Sequence, residues 1–198
     1  MAAISETIVR EYFELHGFLV RQQRKYVAPA RREDDEIDFF ILNPQPRDRE
    51  VALPFILSSE DLPGVARAVV VVKGWHTETF SSGVLANAPE IFRFVEPGVF
   101  KRATETFGED GALTKILVVP ALPQMEDARE QSVALLRAKG IDAVIPFRTI
   151  LNDLISQTET NRNYLKSDVL QVIRVLKSYD FFKEPQLELF KPKRKRRK

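Results

Sequence analysis

Two charged side chains of this sequence lie in apolar, strand-like segments, where a charge without a partner is costly. Asp38 stands in the run IDFFIL (37–42), and Lys73 follows four valines in AVVVVKGW (68–75). Moving a carboxylate or an ammonium out of water is unfavourable, so each charge needs a partner or a wet cleft. A carboxylate beside a lysine suits a magnesium ion, with a cation that stabilises charge developing on a phosphate. Glu6, on the first predicted helix, can approach the same place.

The same three residues also have a purely structural interpretation. Asp38 and Lys73 can form an ion pair at the strand ends. Ser5 is a suitable N-cap for the first helix, and Glu6 suits its first turn, where the helix dipole favours a negative charge. The spacing alone favours this interpretation without excluding the metal site.

The hydrophobic pattern predicts the elements that must hold these residues. Their order is α-β-β-β-α-β-α-β-α-α, which implies an α/β fold whose mixed sheet carries helices on both faces. The predicted helices cover residues 5–16, 89–107, 125–139, 149–157 and 167–179, and the predicted strands cover residues 18–27, 37–42, 68–75, 114–119 and 143–147. Residues 51–57 are predicted to form an edge strand, because Pro54 cannot donate to a central ladder. Gly17 and Gly140 are predicted to end their helices in the left-handed conformation.

The composition predicts one globular domain over residues 1–190. The 198-residue chain is 44% hydrophobic and 29% charged, and it contains no cysteine, which excludes disulfides, thiolate zinc sites and cysteine nucleophiles. No apolar run reaches the roughly 18–20 residues of a membrane-spanning helix. The start of the chain, MAAISETIVREYF, becomes charged at once, unlike a signal peptide. We therefore expect a cytoplasmic protein with no membrane partner, or a nuclear one if the source is eukaryotic.

The formal net charge of +2 hides a strong asymmetry. Residues 191–198, KPKRKRRK, contain seven bases, whereas the rest of the chain has 23 basic and 28 acidic residues. The tail has no apolar side chain and is predicted to be disordered. It can bind phosphates through counterion release, act as a nuclear-import signal or serve as a solubilising end. The residues predicted to bind nucleic acid are Lys191, Lys193, Arg194, Lys195, Arg196, Arg197 and Lys198.

Three segments of the sequence together resemble the PD-(D/E)XK nuclease superfamily. They are the helix with Glu6 ahead of Gly17-Phe18, the EID at 36–38 and the VVVVKGW at 69–75. The similarity is greatest to the Holliday-junction-resolvase and restriction-endonuclease-like branch, and it covers about residues 4–120. It implies a restriction-endonuclease-like core with the order α-β-β-β-α-β.

The resemblance also implies a role for each charged residue. It matches Asp38 to the metal-binding aspartate of the second strand, Lys73 to the lysine of the (D/E)XK element and Glu6 to the supporting glutamate of the first helix. A magnesium ion would activate water for attack on a phosphodiester, and the lysine would orient or deprotonate that water. DNA is the implied partner. A homodimer is implied as well, because such nucleases often dimerise, although the sequence identifies no interface.

One position departs from the pattern of this superfamily. The acidic residue of (D/E)XK precedes the lysine by two positions, which places it at Val71, and side chains at i and i+2 of a strand point the same way. A valine therefore stands where the second metal ligand belongs. Glu78, just past the strand, is the predicted replacement ligand. The other candidates are Glu90, in the first turn of the next helix, and the weaker Glu60 and Glu36.

Several rings and imidazoles near the predicted site have two interpretations each. His76 can contact a phosphate or a metal, but a half-exposed structural imidazole is the simpler interpretation. Trp75 can stack on a base or cap the core. His16 is predicted to be a helix-terminal cation or a packing residue. The phenylalanines predicted to belong to the core are Phe92, Phe94 and Phe100.

The sequence thus predicts a nucleic-acid-binding protein of nuclease-like fold, with degenerate or absent catalysis. One alternative is an active magnesium-dependent endonuclease with a relocated acidic ligand. The other is a structural or interaction module that keeps only the fold. The enzymatic alternative depends on which carboxylate, if any, replaces Val71.

Overall fold

The computed structural model describes residues 2–22, 37–47, 52–107 and 112–182. The chain divides into two compact units, residues 1–157 and residues 158–198, which are described separately below. The single predicted domain over residues 1–190 stays a prediction, and the basic tail lies outside the described residues. None of the helices in these ranges combines the length and the apolar character that a bilayer crossing requires.

The first unit is an α/β structure with a five-stranded sheet. Its helices are α1 (Ala2–Leu15), α2 (Ser82–Ala86), α3 (Pro97–Phe107), α4 (Glu126–Ala138) and α5 (Phe147–Gln157). Its strands are β1 (Leu19–Gln22), β2 (Phe39–Leu42), β3 (Arg67–Val72), β4 (Thr114–Val119) and β5 (Ala143–Pro146). The described residues of this unit also form two 3₁₀ helices, Ser59–Gly64 and Pro89–Val95. The second unit contains α6 (Asp168–Ser178). The predicted element order is confirmed, and the short α2 and the 3₁₀ helices are additions to it.

The sheet is mixed, as predicted, and its strand order is β1-β2-β3-β4-β5. The pairs β1-β2 and β2-β3 are antiparallel, with Phe39 opposite Val70 in the second pair. The pairs β3-β4 and β4-β5 are parallel, with Val70 opposite Ile116. Parallel neighbours need long crossover connections, and the helices between β3 and β5 supply them.

The valine run of β3 is buried on both faces, which explains why it lacks the polar alternation of a half-exposed strand. Val69 and Val71 belong to an apolar cluster with Leu85 of α2 and Leu136 of α4. Val70 and Val72 point to the opposite face, because side chains alternate along a strand. There α1 contacts β3 and α5 contacts β5. Helices therefore lie on both faces of the sheet.

Two helices end in the way that their glycines predict. Gly17 has φ +82°, and the amides of Gly17 and Phe18 donate to the carbonyls of Glu14 and Phe13. This is the Schellman pattern, which satisfies carbonyls that the helix leaves without partners. Gly140 has φ +88° and ends α4 in the same pattern. The turn at Gly17 leads the chain from α1 into β1 and so fixes where α1 lies against the sheet.

The predicted strand at residues 51–57 is reduced to a single bridge beside β5. Ile56 bridges Val144 in parallel, Leu57 N donates to Val144 O over 2.9 Å, and Val144 N donates to Phe55 O over 2.7 Å. Pro54 has no amide hydrogen to extend this ladder. The segment therefore covers the outer edge of β5 without becoming a full strand.

Helix α1 contacts α5 and the first 3₁₀ helix through a partly buried polar group. His16 Nε2 lies 2.8 Å from Asp153 Oδ2, and the hydroxyl of Tyr12 lies 3.0 Å from Ser59 Oγ. The rings of Tyr12 and His16 meet edge to face, with 4.9 Å between centroids. His16, at the end of α1, thus packs against Tyr12 and pairs with a carboxylate of a second helix.

Tyr12 is expected to make this unit less stable at alkaline pH. Burial raises the pKa of Tyr12 to about 12, with smaller increases from the carboxylates of Asp153 and Asp61 and a decrease from the Ser59 hydrogen bond. The folded state therefore keeps the phenol proton at a pH where the unfolded state loses it. The contribution of Tyr12 to the free energy of unfolding is fully present below about pH 10. It falls by roughly 2–3 kcal/mol between about pH 10 and 12. We expect Tyr12→Phe to remove this loss in denaturant titrations at both pH values. An equal loss in the variant would contradict this assignment.

Candidate site at the ends of strands β2 and β3

Asp38 lies immediately before β2, and its carboxylate accepts a hydrogen bond from β3. Asp38 N donates to Val70 O over 3.1 Å, and Asp38 Oδ2 accepts from Val72 N over 2.7 Å. The last regular pair of this ladder is Phe39 opposite Val70, so the carboxylate binds the next donor along β3. The side chain is buried, with 5% of the residue exposed. Asp38 is therefore a hydrogen-bonded carboxylate whose partner, Val72, directly precedes Lys73.

Lys73 directly follows the last residue of β3. Its amide donates to Val118 O over 3.1 Å, which continues the pairing with β4 beyond the strand. The residue is partly buried, and neither Lys73 nor Asp38 is without a partner. The carboxylate and the lysine thus come from neighbouring strands at the same end of the sheet.

Glu6 reaches this end of the sheet from α1. Its Oε2 accepts a hydrogen bond from Gln22 Nε2 over 2.9 Å. Gln22 is the last residue of β1, and it lies opposite Phe39, the neighbour of Asp38. Because α1 begins at Ala2, Glu6 lies in the second turn of the helix. Its interpretation as a first-turn residue is therefore wrong.

Ser5 brings α1 against the segment that follows β3. Its Oγ lies 2.8 Å from His76 Nε2, and a Cβ added at position 74 would lie 2.7 Å from the same oxygen. A larger residue at position 74 would have to displace the Ser5 hydroxyl, so this close approach favours glycine after Lys73. Ser5 is buried, and it lies three residues after the start of α1 at Ala2, so its prediction as the N-cap is wrong.

These contacts form a closed circuit at one end of the sheet. The circuit runs from Glu6 to Gln22, across the β1-β2 pair to Asp38, on to Val72, and back from Gly74 to Ser5 on α1. The three segments that carry the predicted site residues are therefore held together by rigid elements. The sequence did not indicate Ser5 or Gln22 as partners, because each is a common polar residue whose role depends on tertiary contact.

Position 74 offers a direct test of this circuit. We expect Gly74→Ala to lower the free energy of unfolding by about 1–3 kcal/mol, because the methyl group displaces a buried and hydrogen-bonded serine. Ser5→Ala removes the clashing oxygen, so the double variant is expected to lose less than the sum of the two single variants. Urea denaturation of the four proteins measures this coupling. Strict additivity would show that α1 does not approach Gly74.

The position expected to supply the acidic ligand faces an apolar layer. Val71 is 1% exposed and packs in the cluster that β3 forms with α2, α4 and the second 3₁₀ helix. Leu85, Ile91 and Leu136 belong to the same cluster. A carboxylate at position 71 would have to enter this layer, and the valine completes it instead.

The glutamates considered as replacements for the missing acidic ligand lie apart from this layer. Glu78 is exposed in a turn where its amide donates to Trp75 O over 2.8 Å. Glu90 is partly buried at the start of the 3₁₀ helix Pro89–Val95, and Glu60 is exposed in the other one. Glu36 lies outside the described residues. Across the described ranges, no three or more His, Asp and Glu side chains are grouped so as to hold a metal ion. The magnesium site therefore stays a prediction.

The aromatic residues near the site have mostly structural contacts. The ring of His76 meets Phe147 of α5 with 4.5 Å between centroids, so Ser5 and Phe147 together fix the imidazole. Trp75 is partly exposed and meets the edge of the buried Phe80. Phe92 and Phe94 are buried, as predicted, whereas Phe100 is partly buried under the ammonium of Lys115.

Comparison of the whole chain with protein-family models, with curated proteins and with solved structures gives no match. Membership of the PD-(D/E)XK superfamily therefore stays a prediction from the residues quoted above. The tail residues predicted to bind nucleic acid lie outside the described part of the chain, and their role stays a prediction too.

Proposed function

We propose that this chain is a nucleic-acid-binding protein with a restriction-endonuclease-like core, in which metal-dependent hydrolysis has been lost. The observation that carries the proposal is that Asp38 and Lys73 come to the same end of the sheet, where Asp38 binds the amide next to Lys73 while Val71 is buried. This end combines a phosphate-binding cation with an incomplete set of metal ligands.

The fold supports the first half of the proposal. The chain places α1, three antiparallel strands, helical segments and β4 in the order α-β-β-β-α-β. That is the order which the resemblance implies for the nuclease core. In this arrangement Asp38 precedes the second strand and Lys73 follows the third, so both matched residues come to one end of the sheet.

The hydrogen bonds support the loss of catalysis. Magnesium requires near-octahedral oxygen ligands and usually binds one or two carboxylates directly. Asp38 Oδ2 already accepts from the amide of Val72, and Glu6 Oε2 already accepts from Gln22. The position that would complete the set is a valine. One oxygen of each carboxylate is therefore already engaged by the fold.

Charge supports nucleic acid as the ligand. The seven bases of residues 191–198 bind a polyanion without reading its sequence, and Lys73 adds a cation in the folded core. DNA is the favoured nucleic acid, because the implied relatives act on it. The alternative, an active magnesium-dependent nuclease, is favoured by Glu78, which lies in a turn only five residues after Lys73.

The deciding experiment is a combined binding and cleavage assay with branched, single-stranded and double-stranded DNA, in Mg²⁺ and in Mn²⁺. We expect binding without cleavage. Cleavage that is lost in Asp38→Ala would establish the nuclease alternative instead. Asp142→Ala is the matched control, since Asp142 Oδ2 also accepts from a strand amide, that of Lys115, over 2.8 Å. Absence of binding to every DNA would favour the structural or interaction module.

A further inference from the structure

Helix α6 has two apolar faces, although a surface helix needs only one. Leu170 and Ile173 are buried on one side. On the opposite side Val172, Val175 and Tyr179 are 58%, 44% and 75% exposed. An amphipathic helix normally turns charged residues to solvent on the side away from the core. The exposed apolar side therefore lacks a cover within the described part of the chain.

The charged side chains of α6 do not cover this side. Arg174 Nε donates to Thr160 O over 3.0 Å, and Lys177 Nζ donates to Thr158 O over 2.6 Å. Both cations thus reach back to the segment that precedes the helix. The shallow groove on the exposed side is lined by Asp168, Gln171, Val172, Val175 and Leu176. Its charge is a single carboxylate.

The spacing on this side is that of a two-helix seam. Asp168, Val172, Val175 and Tyr179 follow one another at intervals of four, three and four residues, which is the alternation that keeps one stripe facing a partner helix. Asp168 and Tyr179 lie at equal distances along the chain from the midpoint between Val172 and Val175. The stripe is therefore self-complementary when it is turned end for end.

We propose that α6 binds the α6 of a second copy of this chain in an antiparallel pair. Val172 of each copy packs against Val175 of the other, and the hydroxyl of Tyr179 donates to the carboxylate of Asp168. A parallel pair would instead place Asp168 against Asp168, which is repulsive. The inference is independent of the proposed function, because it uses only residues of the second unit.

The pair is expected to be weak, because an 11-residue helix presents far less area than the roughly 1,600 Å² of a standard interface. Sedimentation equilibrium of the full chain over a range of concentrations should show reversible dimerisation. We expect Val172→Glu and Val175→Glu each to raise the dissociation constant at least about tenfold, because each places a charge in the seam. Met125→Glu, at an exposed apolar residue of the first unit, is the control and should change nothing. Circular dichroism verifies that each variant is folded.

A monomer at every concentration would overturn the proposal, and so would equal dimerisation of the folded seam variants. In the first case another part of the chain or a different protein covers the stripe.

Disulfide trapping tests the orientation, since the chain has no cysteine of its own. A mixture of Asp168→Cys and Tyr179→Cys chains should cross-link under mild oxidation, whereas neither variant should cross-link alone. In the antiparallel pair, the two copies of position 168 lie about 16 Å apart along the helix axis, and so do the two copies of position 179, from 1.5 Å of rise per residue. A second mixture, Val172→Cys with Val175→Cys, keeps the polar pair intact and should also cross-link. Cross-linking of Asp168→Cys with itself would show a parallel pair and overturn the proposal.

Discussion

Deletion of residues 191–198 is expected to weaken binding to duplex DNA by about 100-fold or more at low salt. Each phosphate that a base neutralises contributes about 0.9 to the slope of log affinity against log salt. With seven bases in the tail, its loss should flatten that slope by about 4–6. Fluorescence anisotropy at several salt concentrations measures both quantities. Scrambling the order of the seven bases is the matched control and should leave the affinity unchanged, because counterion release does not read sequence.

The proposed function further requires that the tail-deleted chain keeps measurable affinity. We assign this residual binding to the end of the sheet that carries Lys73. Lys73→Ala should reduce it, while Lys115→Ala should not, although Lys115 is also partly buried and comes from a neighbouring strand. Complete loss of binding on tail deletion would favour an interaction module that keeps only the fold. An unchanged affinity would show that the tail does not contact DNA.

The sheet could be predicted from the sequence because its signals are local. Four consecutive valines favour a buried strand wherever they stand, and Gly17 marks the end of α1 through its own backbone requirement. The predicted strand 37–42 contains β2, and the predicted strand 68–75 covers β3 except for its first residue, Arg67. Each predicted strand extends beyond the observed one at the end where the site lies. The strand ends were less predictable, because Asp38 replaces the regular ladder there with a side-chain hydrogen bond.

The contacts of the site could not be predicted in the same way. Asp38 could be identified as a charge among apolar residues, because a charge in a buried strand needs a partner. Its partner, however, is a backbone amide, and any strand residue carries one. The contact of Ser5 with Gly74 joins residues far apart in the chain and uses types that occur in many turns and helix starts. Such pairs can be identified only when the position of α1 relative to β3 is known.

Val71→Glu is expected to cost more stability than any other single change considered for this unit. The substitution restores the acidic pattern of (D/E)XK, but it introduces a carboxylate into a layer formed by Leu85, Ile91 and Leu136. An uncompensated buried charge lowers the free energy of unfolding by about 3–5 kcal/mol. Val71→Gln is the matched control, because it has the same size without the charge. Urea denaturation of both variants separates the cost of the charge from the cost of the larger side chain.

Manganese distinguishes a closed apolar layer from an incomplete metal site at this position. If Val71 faces only the core, Mn²⁺ should not stabilise Val71→Glu, and no DNA cleavage should follow. The expectation rests on the burial of Val71 and on the hydrogen bond that already engages Asp38 Oδ2. Stabilisation of Val71→Glu by Mn²⁺, with no effect on Val71→Gln, would contradict it. The position would then open onto Asp38, and one substitution would separate this chain from a metal-binding one.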